Sequence, residues 1–321
     1  MLCSICHMSG YCGSNSVQMN ALYFGSWISQ EIVRSSVAAG GCKDGGDGKE
    51  VLHTNIECAL NELKFNVDGW QYHTEPRPQA KNYLVWLKGH LAKSEPCIWF
   101  IYCKGDGGSK HVHGPHGSEK GYGFYDHIEP VIGIASNHSL APGSSEVGQY
   151  YADDVIAHHS DWDEKTYLRT FESTPDGPKM DGNCAHVFPM GGGPNEAHPC
   201  IPEQVDYGYA LLGRKDPLNV TQGRVRLTVD SWKEPDVVEG FKPDLMTGTV
   251  HATGLAPGAK YALLRYDGYE QAPADSRFKG SNYTHAEPFV ADATGAYVWT
   301  DTTKISSDKS VYYYVLKAGD I

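Results

Sequence analysis

The chain has 321 residues, 39 acidic side chains against 27 basic ones and a formal net charge of −12. That balance argues against a nucleic-acid groove or an anionic membrane surface, both of which need clustered Lys and Arg. The longest strongly apolar stretch, Ile98–Tyr102, falls far short of the ~20 residues a spanning helix requires, so membrane insertion is not expected. Hydrophobic residues at 40 % and charged residues at 21 % are a globular composition, and the length favours two domains.

The elements read as follows in chain order. Cys12–Ala39 is expected to be helical, with Val17, Leu22, Trp27 and Ile28 on a rough apolar face. Residues 42–50 are rich in Gly and Asp and read as a loop without the acidic spacing of an EF-hand. Asn55–Leu63 reads as a short helix and Phe65–His73 as a strand. Ala80–Lys93 is amphipathic, with Tyr83, Leu84, Leu87 and Leu91 on one face, and Pro96 stops it. Cys97–Cys103, Asp126–Ala135, Val155–His159, Tyr167–Glu172 and Tyr207–Leu212 read as strands. Two Gly-rich loops separate them, at 105–123 and 174–202.

From Arg224 the helical pattern stops. Val225–Val229, Gly248–Ala252, Lys260–Tyr266, Phe289–Ala291, Tyr297–Thr300 and Ser310–Leu316 are short strands between turns, which predicts a β-sandwich. The domain boundary is placed near residue 222, giving domains of 1–222 and 223–321. Trp70, Trp86, Trp99 and the run Tyr312–Tyr314 read as core, with a sugar-stacking platform as the alternative.

Nine cysteines are present: Cys3, Cys6, Cys12, Cys42, Cys58, Cys97, Cys103, Cys184 and Cys200. One CxxC without a second does not make a zinc ribbon, and the plainer expectation is a secreted, disulfide-bonded protein. If eight cysteines pair, one thiol is left over. Cys97 and Cys103, expected on one strand, would be ~20 Å apart and so not bonded to each other. Sequons at Asn137, Asn219 and Asn282 add an expectation of N-linked glycans and an extracellular location. Met1–Gly10 has neither the basic start nor the apolar run of a signal peptide.

The chemistry centres on Gly10-Tyr-Cys-Gly-Ser-Asn-Ser-Val-Gln18, where Cys12 opens a helix. The positive end of a helix dipole favours a thiolate. Such a nucleophile needs a general base, usually His, and a group that orients it. His127, at the start of the buried strand Ile128–Gly133, is the candidate base. His111, His113 and His116 offer a His-x-His metal spacing, but a polar Gly/His loop is the expected reading, and no metal or cofactor is expected.

These residues resemble a family. Tyr11-Cys12-Gly13 followed by Gln18–Gly25 is similar to the nucleophile helix of papain-like peptidases of the double-glycine-leader (bacteriocin-processing) type. Leu84–Pro96 with Cys97–Phe100 is similar to that family's helix-Pro-strand element. His127 with Gly133 is similar to its His-strand-Gly, and Asp154–Asp161 to the strand whose end carries the orienting residue.

The resemblance implies an α+β papain-like domain with Cys12 as nucleophile, His127 as base and Asp161 as orienter. Asp154, Ser160 and Asn137 are the alternatives for the third role. The family's oxyanion-hole Gln corresponds here to Cys6, a poor donor, and such a donor is worth ~3 kcal/mol in the transition state. Two readings stand: a secreted cysteine hydrolase acting on a peptide or protein substrate, or a non-catalytic extracellular structural, adhesive or self-assembling glycoprotein on the same scaffold. An acyl or peptidyl transferase using the same nucleophile is a third.

Overall fold

The computed structural model describes residues 11–39, 41–42, 50–71, 73–76, 79–101, 127–161, 165–172, 207–216, 219–230, 243–272 and 282–319. Cys3, Cys6, Cys103, Cys184, Cys200, the histidines at 111, 113 and 116, the expected loops at 105–123 and 174–202, and most of the acidic loop at 42–50 lie outside them. The described residues form a mixed, β-rich α+β protein with four α-helices. The chain falls into two compact units, one of residues 1–66 with 213–321 and the other of residues 67–212. The boundary expected near residue 222 lies inside the first unit. The division by compactness instead passes through two strands, Phe65–Gly69 and Gly208–Arg214.

The first unit begins with α1 (Cys12–Tyr23), β1 (Ser26–Ile28), α2 (Gln30–Ala39) and α3 (Ile56–Glu62). The single helical stretch expected over Cys12–Ala39 is broken by β1. Helix α1 stops because the Phe24 and Gly25 amides turn back onto the Ala21 and Leu22 carbonyls. Gly25 then takes a left-handed φ of +69°, where a Cβ would meet Val225 Cγ1 at 2.5 Å. The turn lifts Trp27 off the helical face and into a sheet. A disulfide joins Cys42 to Cys58 ahead of and within α3. Among the described residues, Cys12 and Cys97 both carry thiols, so the pairing of eight cysteines that would leave a single thiol does not hold.

The described remainder of this unit is mainly β-structure. After β2 (Phe65–Gly69) and the strands of the second unit described below, β8 (Arg224–Val229), β9 (Leu245–Met246), β10 (Gly248–Thr253), β11 (Lys260–Asp267), β12 (His285–Val290), β13 (Tyr297–Thr300), β14 (Ile305–Ser306) and β15 (Ser310–Lys317) follow. They form sheets of order β1-β15-β11-β12 and β13-β10-β8, with a small β9-β14 ribbon. Leu227, Val250, Leu263, Phe289, Tyr313, Val315 and Trp27 share one buried core, the two-sheet packing expected of a sandwich. Tyr312, Tyr313 and Tyr314 are all buried, which is the core reading and not a sugar platform. The Tyr312 hydroxyl donates to the Leu63 carbonyl at 2.8 Å, fixing the end of α3 to β15.

The second unit carries α4 (Ala80–Ala92), β3 (Cys97–Ile101), β4 (His127–Ala135), β5 (Val155–Ser160), β6 (Lys165–Thr170) and β7 (Gly208–Arg214). Its sheet has the order β2-β7-β3-β4-β5-β6, and the pairs from β7 to β6 are antiparallel. Tyr83, Leu84, Leu87 and Leu91 of α4 pack on Trp99, Ile101, Val131 and Ile156 of the sheet. Strand β3 is buried along its whole length, as an apolar central strand should be. The β4–β5 register slips between Val131 and Gly133, a bulge that leaves Ile132 exposed.

Candidate functional site

The two halves of the expected site lie in different units: Cys12 in the first, His127 and Asp161 in the second.

Cys12 is the first residue of α1, with a half-buried thiol. The helix start is anchored by Tyr11, whose carbonyl accepts from the Asn15 amide at 2.9 Å and from Ser14 Oγ at 2.8 Å. Tyr11 in turn donates its hydroxyl to Glu31, and the Arg34 guanidinium lies 4.3 Å from its ring centroid. Gly13 follows because nothing larger fits: a Cβ there would meet the Val51 carbonyl oxygen at 2.5 Å. Gly13 is thus a packing requirement, with α1 pressed against the backbone that precedes α3. Behind it, α1 buries polar side chains. Gln18 Nε2 donates to the Ile28 carbonyl at 2.9 Å, and Gln30 Nε2 lies 3.4 Å from both Asn15 Oδ1 and Gln18 Oε1.

The second half is a buried group of two imidazoles and two carboxylates at one end of β4 and β5. His127 and Glu129 are two residues apart on β4, so the pleat puts both side chains on one face. His158 comes from β5, and Asp161 lies one residue beyond the end of that strand. His127 Nε2 is 2.9 Å from Asp161 Oδ1 and 3.4 Å from Glu129 Oε1. The other Glu129 oxygen is 2.6 Å from His158 Nδ1. All four side chains are buried. The His158 ring sits between Trp99, 4.9 Å away, and Tyr167, stacked at 5.6 Å.

Burial by itself would push the Glu129 carboxyl up. The charge of His158, its hydrogen bond and the nearby His127 ring outweigh it, and hold the group well below the usual carboxylate range.

The structure therefore brings His127 and Asp161 together. The alternative orienters are placed differently. Asp154 is buried in an ion pair with Lys88, and Asn137 donates to Asp153 Oδ2 at 2.9 Å from an exposed position. Ser160 is buried on β5. Asn137, Asn219 and Asn282 are all exposed. Cys97 is a buried thiol that donates to the Glu95 carbonyl at 3.5 Å; burial pushes its pKa up, and Glu95 and Asp68 add to that, so it is not poised as a nucleophile.

Glu129 and His158 escaped the sequence reading. Glu129 sits in Ile128-Glu-Pro-Val-Ile, which reads as an apolar strand, yet its two-residue offset from His127 was the available signal. One ligand atom each from His127, Glu129 and Asp161 lies within 4.8 Å of the others, so these three are the described residues able to hold a metal ion together.

No protein-family model, curated protein or solved structure matches the chain. Among the described residues, no helix is long and apolar enough to cross a membrane.

Proposed function

We propose that the chain is a cysteine hydrolase acting on peptide or amide bonds, with Cys12 as nucleophile, His127 as base and Asp161 as orienter in a papain-like arrangement. The observation that carries this reading is the buried approach of His127 Nε2 to Asp161 Oδ1 at 2.9 Å. A carboxylate facing Nε2 favours the proton on that nitrogen and stabilises the imidazolium that forms when the ring takes a proton. Nδ1 is then the nitrogen that accepts the thiol proton. The resulting thiolate, at the first residue of α1, would attack the substrate carbonyl, and the imidazolium would protonate the leaving amine.

A secreted, N-glycosylated protein is part of the same proposal. The Cys42–Cys58 disulfide and the exposure of all three sequon asparagines support it.

The test is alkylation of the folded, unreduced chain with iodoacetamide at pH ~6, where a low-pKa thiolate reacts much faster than an ordinary thiol. Peptide mapping locates the label, and the His127→Ala chain is treated in parallel. Fast, His127-dependent labelling of Cys12 and reaction with an epoxide thiol inhibitor are expected. A slow, His127-independent reaction at Cys12 overturns the reading and leaves the non-catalytic glycoprotein.

A further inference from the structure

We propose that His127, Glu129 and Asp161 form a binding site for one divalent transition-metal ion, Zn2+ being the best match to the donors. Loading that site would switch off the thiol chemistry proposed for Cys12; this second half rests on the hydrolase reading, the first does not.

The argument starts from an excess of acceptors around one nitrogen. His127 Nε2 faces a carboxylate oxygen of Asp161 at 2.9 Å, from just beyond β5, and one of Glu129 at 3.4 Å, from β4. One imidazole N–H has a single direction, and an orienting role needs one carboxylate. A cation bound to all three is served by the same convergence, since ligand atoms ~2.1 Å from a common centre stand roughly 3.0–3.5 Å apart. The three ligand atoms lie within 4.8 Å of one another, which requires only small side-chain adjustment.

The donor set selects the metal class. Imidazole with two carboxylates suits Zn2+, Mn2+ or Fe2+ and not Ca2+ or Mg2+, which take mostly oxygen ligands. The two carboxylate charges balance a divalent ion in a site where all three side chains are buried. The outer partner is also in place. His158 Nδ1 holds the second oxygen of Glu129 at 2.6 Å, and its ring is wedged between Trp99 and Tyr167. Ligating carboxylates are commonly oriented by such partners.

The consequence for the thiol follows from Nε2. A metal bound at Nε2 leaves the neutral ring's one proton on Nδ1. That nitrogen then has no lone pair with which to accept the thiol proton.

The experiment uses the full chain with Cys12→Ser, stripped of metal, so that binding is read without a nucleophile. Zn2+ is titrated by calorimetry and Co2+ by its visible absorption. One equivalent is expected to bind, and Glu129→Gln and Asp161→Asn are each expected to weaken it at least tenfold. Because a buried substitution can unfold the protein, the chain with native Glu129 and Asp161 is also melted with and without Zn2+. An upward shift reversed by EDTA is expected. No binding and no shift overturn the site, as does binding that survives both substitutions in folded protein, since it then belongs to other side chains.

The inhibitory half is read separately, as iodoacetamide labelling of Cys12 in the unsubstituted chain. Suppression by one equivalent of Zn2+, restored by EDTA, is expected, and unchanged labelling with the site loaded overturns it. If Cys12 is inert without metal but Glu129-dependent binding persists, the hydrolase reading fails and the metal site stands.

Discussion

Lys88 Nζ stands 2.6 Å from Asp154 Oδ2, and neither side chain reaches solvent. The ammonium also donates to the Gln149 carbonyl at 3.1 Å and lies 4.5 Å from the Tyr151 ring centroid. Helix α4 is thereby fastened to the chain just ahead of β5. Removing one partner strands the other charge in the interior, so Lys88→Met is expected to cost about 3–5 kcal/mol. Lys88→Met with Asp154→Leu is expected to cost less than Lys88→Met alone. Urea unfolding of the two proteins checks this, and equal losses would contradict it.

Gly13 is expected to tolerate no side chain. Alanine would gain about 1 kcal/mol of helix propensity. Its Cβ, however, would stand 2.5 Å from the Val51 carbonyl oxygen and 2.9 Å from Val51 Cβ. Backbone cannot step aside as a flexible side chain can, so Gly13→Ala is expected to be net destabilising by about 1–3 kcal/mol, the usual cost of overpacking. Because the clash is one residue from Cys12, the alkylation rate of that thiol should change as well. Thermal melts and timed iodoacetamide labelling provide the two readouts.

Asp161 separates two kinds of help to His127. Asp161→Asn keeps an oxygen that can face the Nε2 proton, whereas Asp161→Ala keeps nothing. Under the hydrolase reading, Asp161→Ala is expected to slow Cys12 labelling by about 10²-fold, the low end for loss of an acid–base partner. Asp161→Asn is expected to lose clearly less. Labelling as fast as in the unsubstituted chain for both variants would show that the carboxylate does not act through the ring.

His53 gives a pH dependence with a definite sign. Burial holds its pKa down to about 4, below the ordinary histidine value of 6.5. The unfolded chain therefore takes up the proton first as pH falls. The stability associated with neutral His53 is fully present above about pH 6.5 and is lost as the pH drops from there toward 4. The substitution His53→Gln removes this contribution, so the variant should lose less stability than the unsubstituted chain between pH 7 and pH 4.5. Urea unfolding at three pH values decides, and parallel losses would contradict it.

The Cys42–Cys58 bridge closes a loop of sequence separation 16. Loop-closure entropy gives such a bridge about 3 kcal/mol. Cys42→Ser with Cys58→Ser is expected to lower stability by roughly that amount, measured by urea unfolding without reductant, and an unchanged midpoint would show that the loop is held by its other contacts.

The longer elements were legible because their periodicity has room to repeat. Ala80–Ala92 shows three turns of apolar side chains, and β10, β11 and β15 alternate or run apolar over six to eight residues. β1, β9 and β14 were not legible. They have two or three residues each, too few for any period, and owe their existence to partners elsewhere: β1 to β15, and β9 to β14 across about 60 residues.

The site divides in the same way. His127 and Asp161 were reached through the resemblance, while Glu129 was hidden inside an apolar-looking strand. In the pair His158–His159, alternation points His158 inward and leaves His159 outside, but choosing between them requires knowing which face of β5 is covered. Sequence alone does not say that.

The pairing of Ser26–Ile28 with Ser310–Tyr312 has a temporal consequence. As the chain leaves the ribosome, Trp27 must wait for nearly three hundred further residues before its cover exists. Contacts of such long sequence separation make for slow folding. Until β15 arrives, the nascent protein presents an uncovered indole and an open strand edge, which is the sort of surface that chaperones bind.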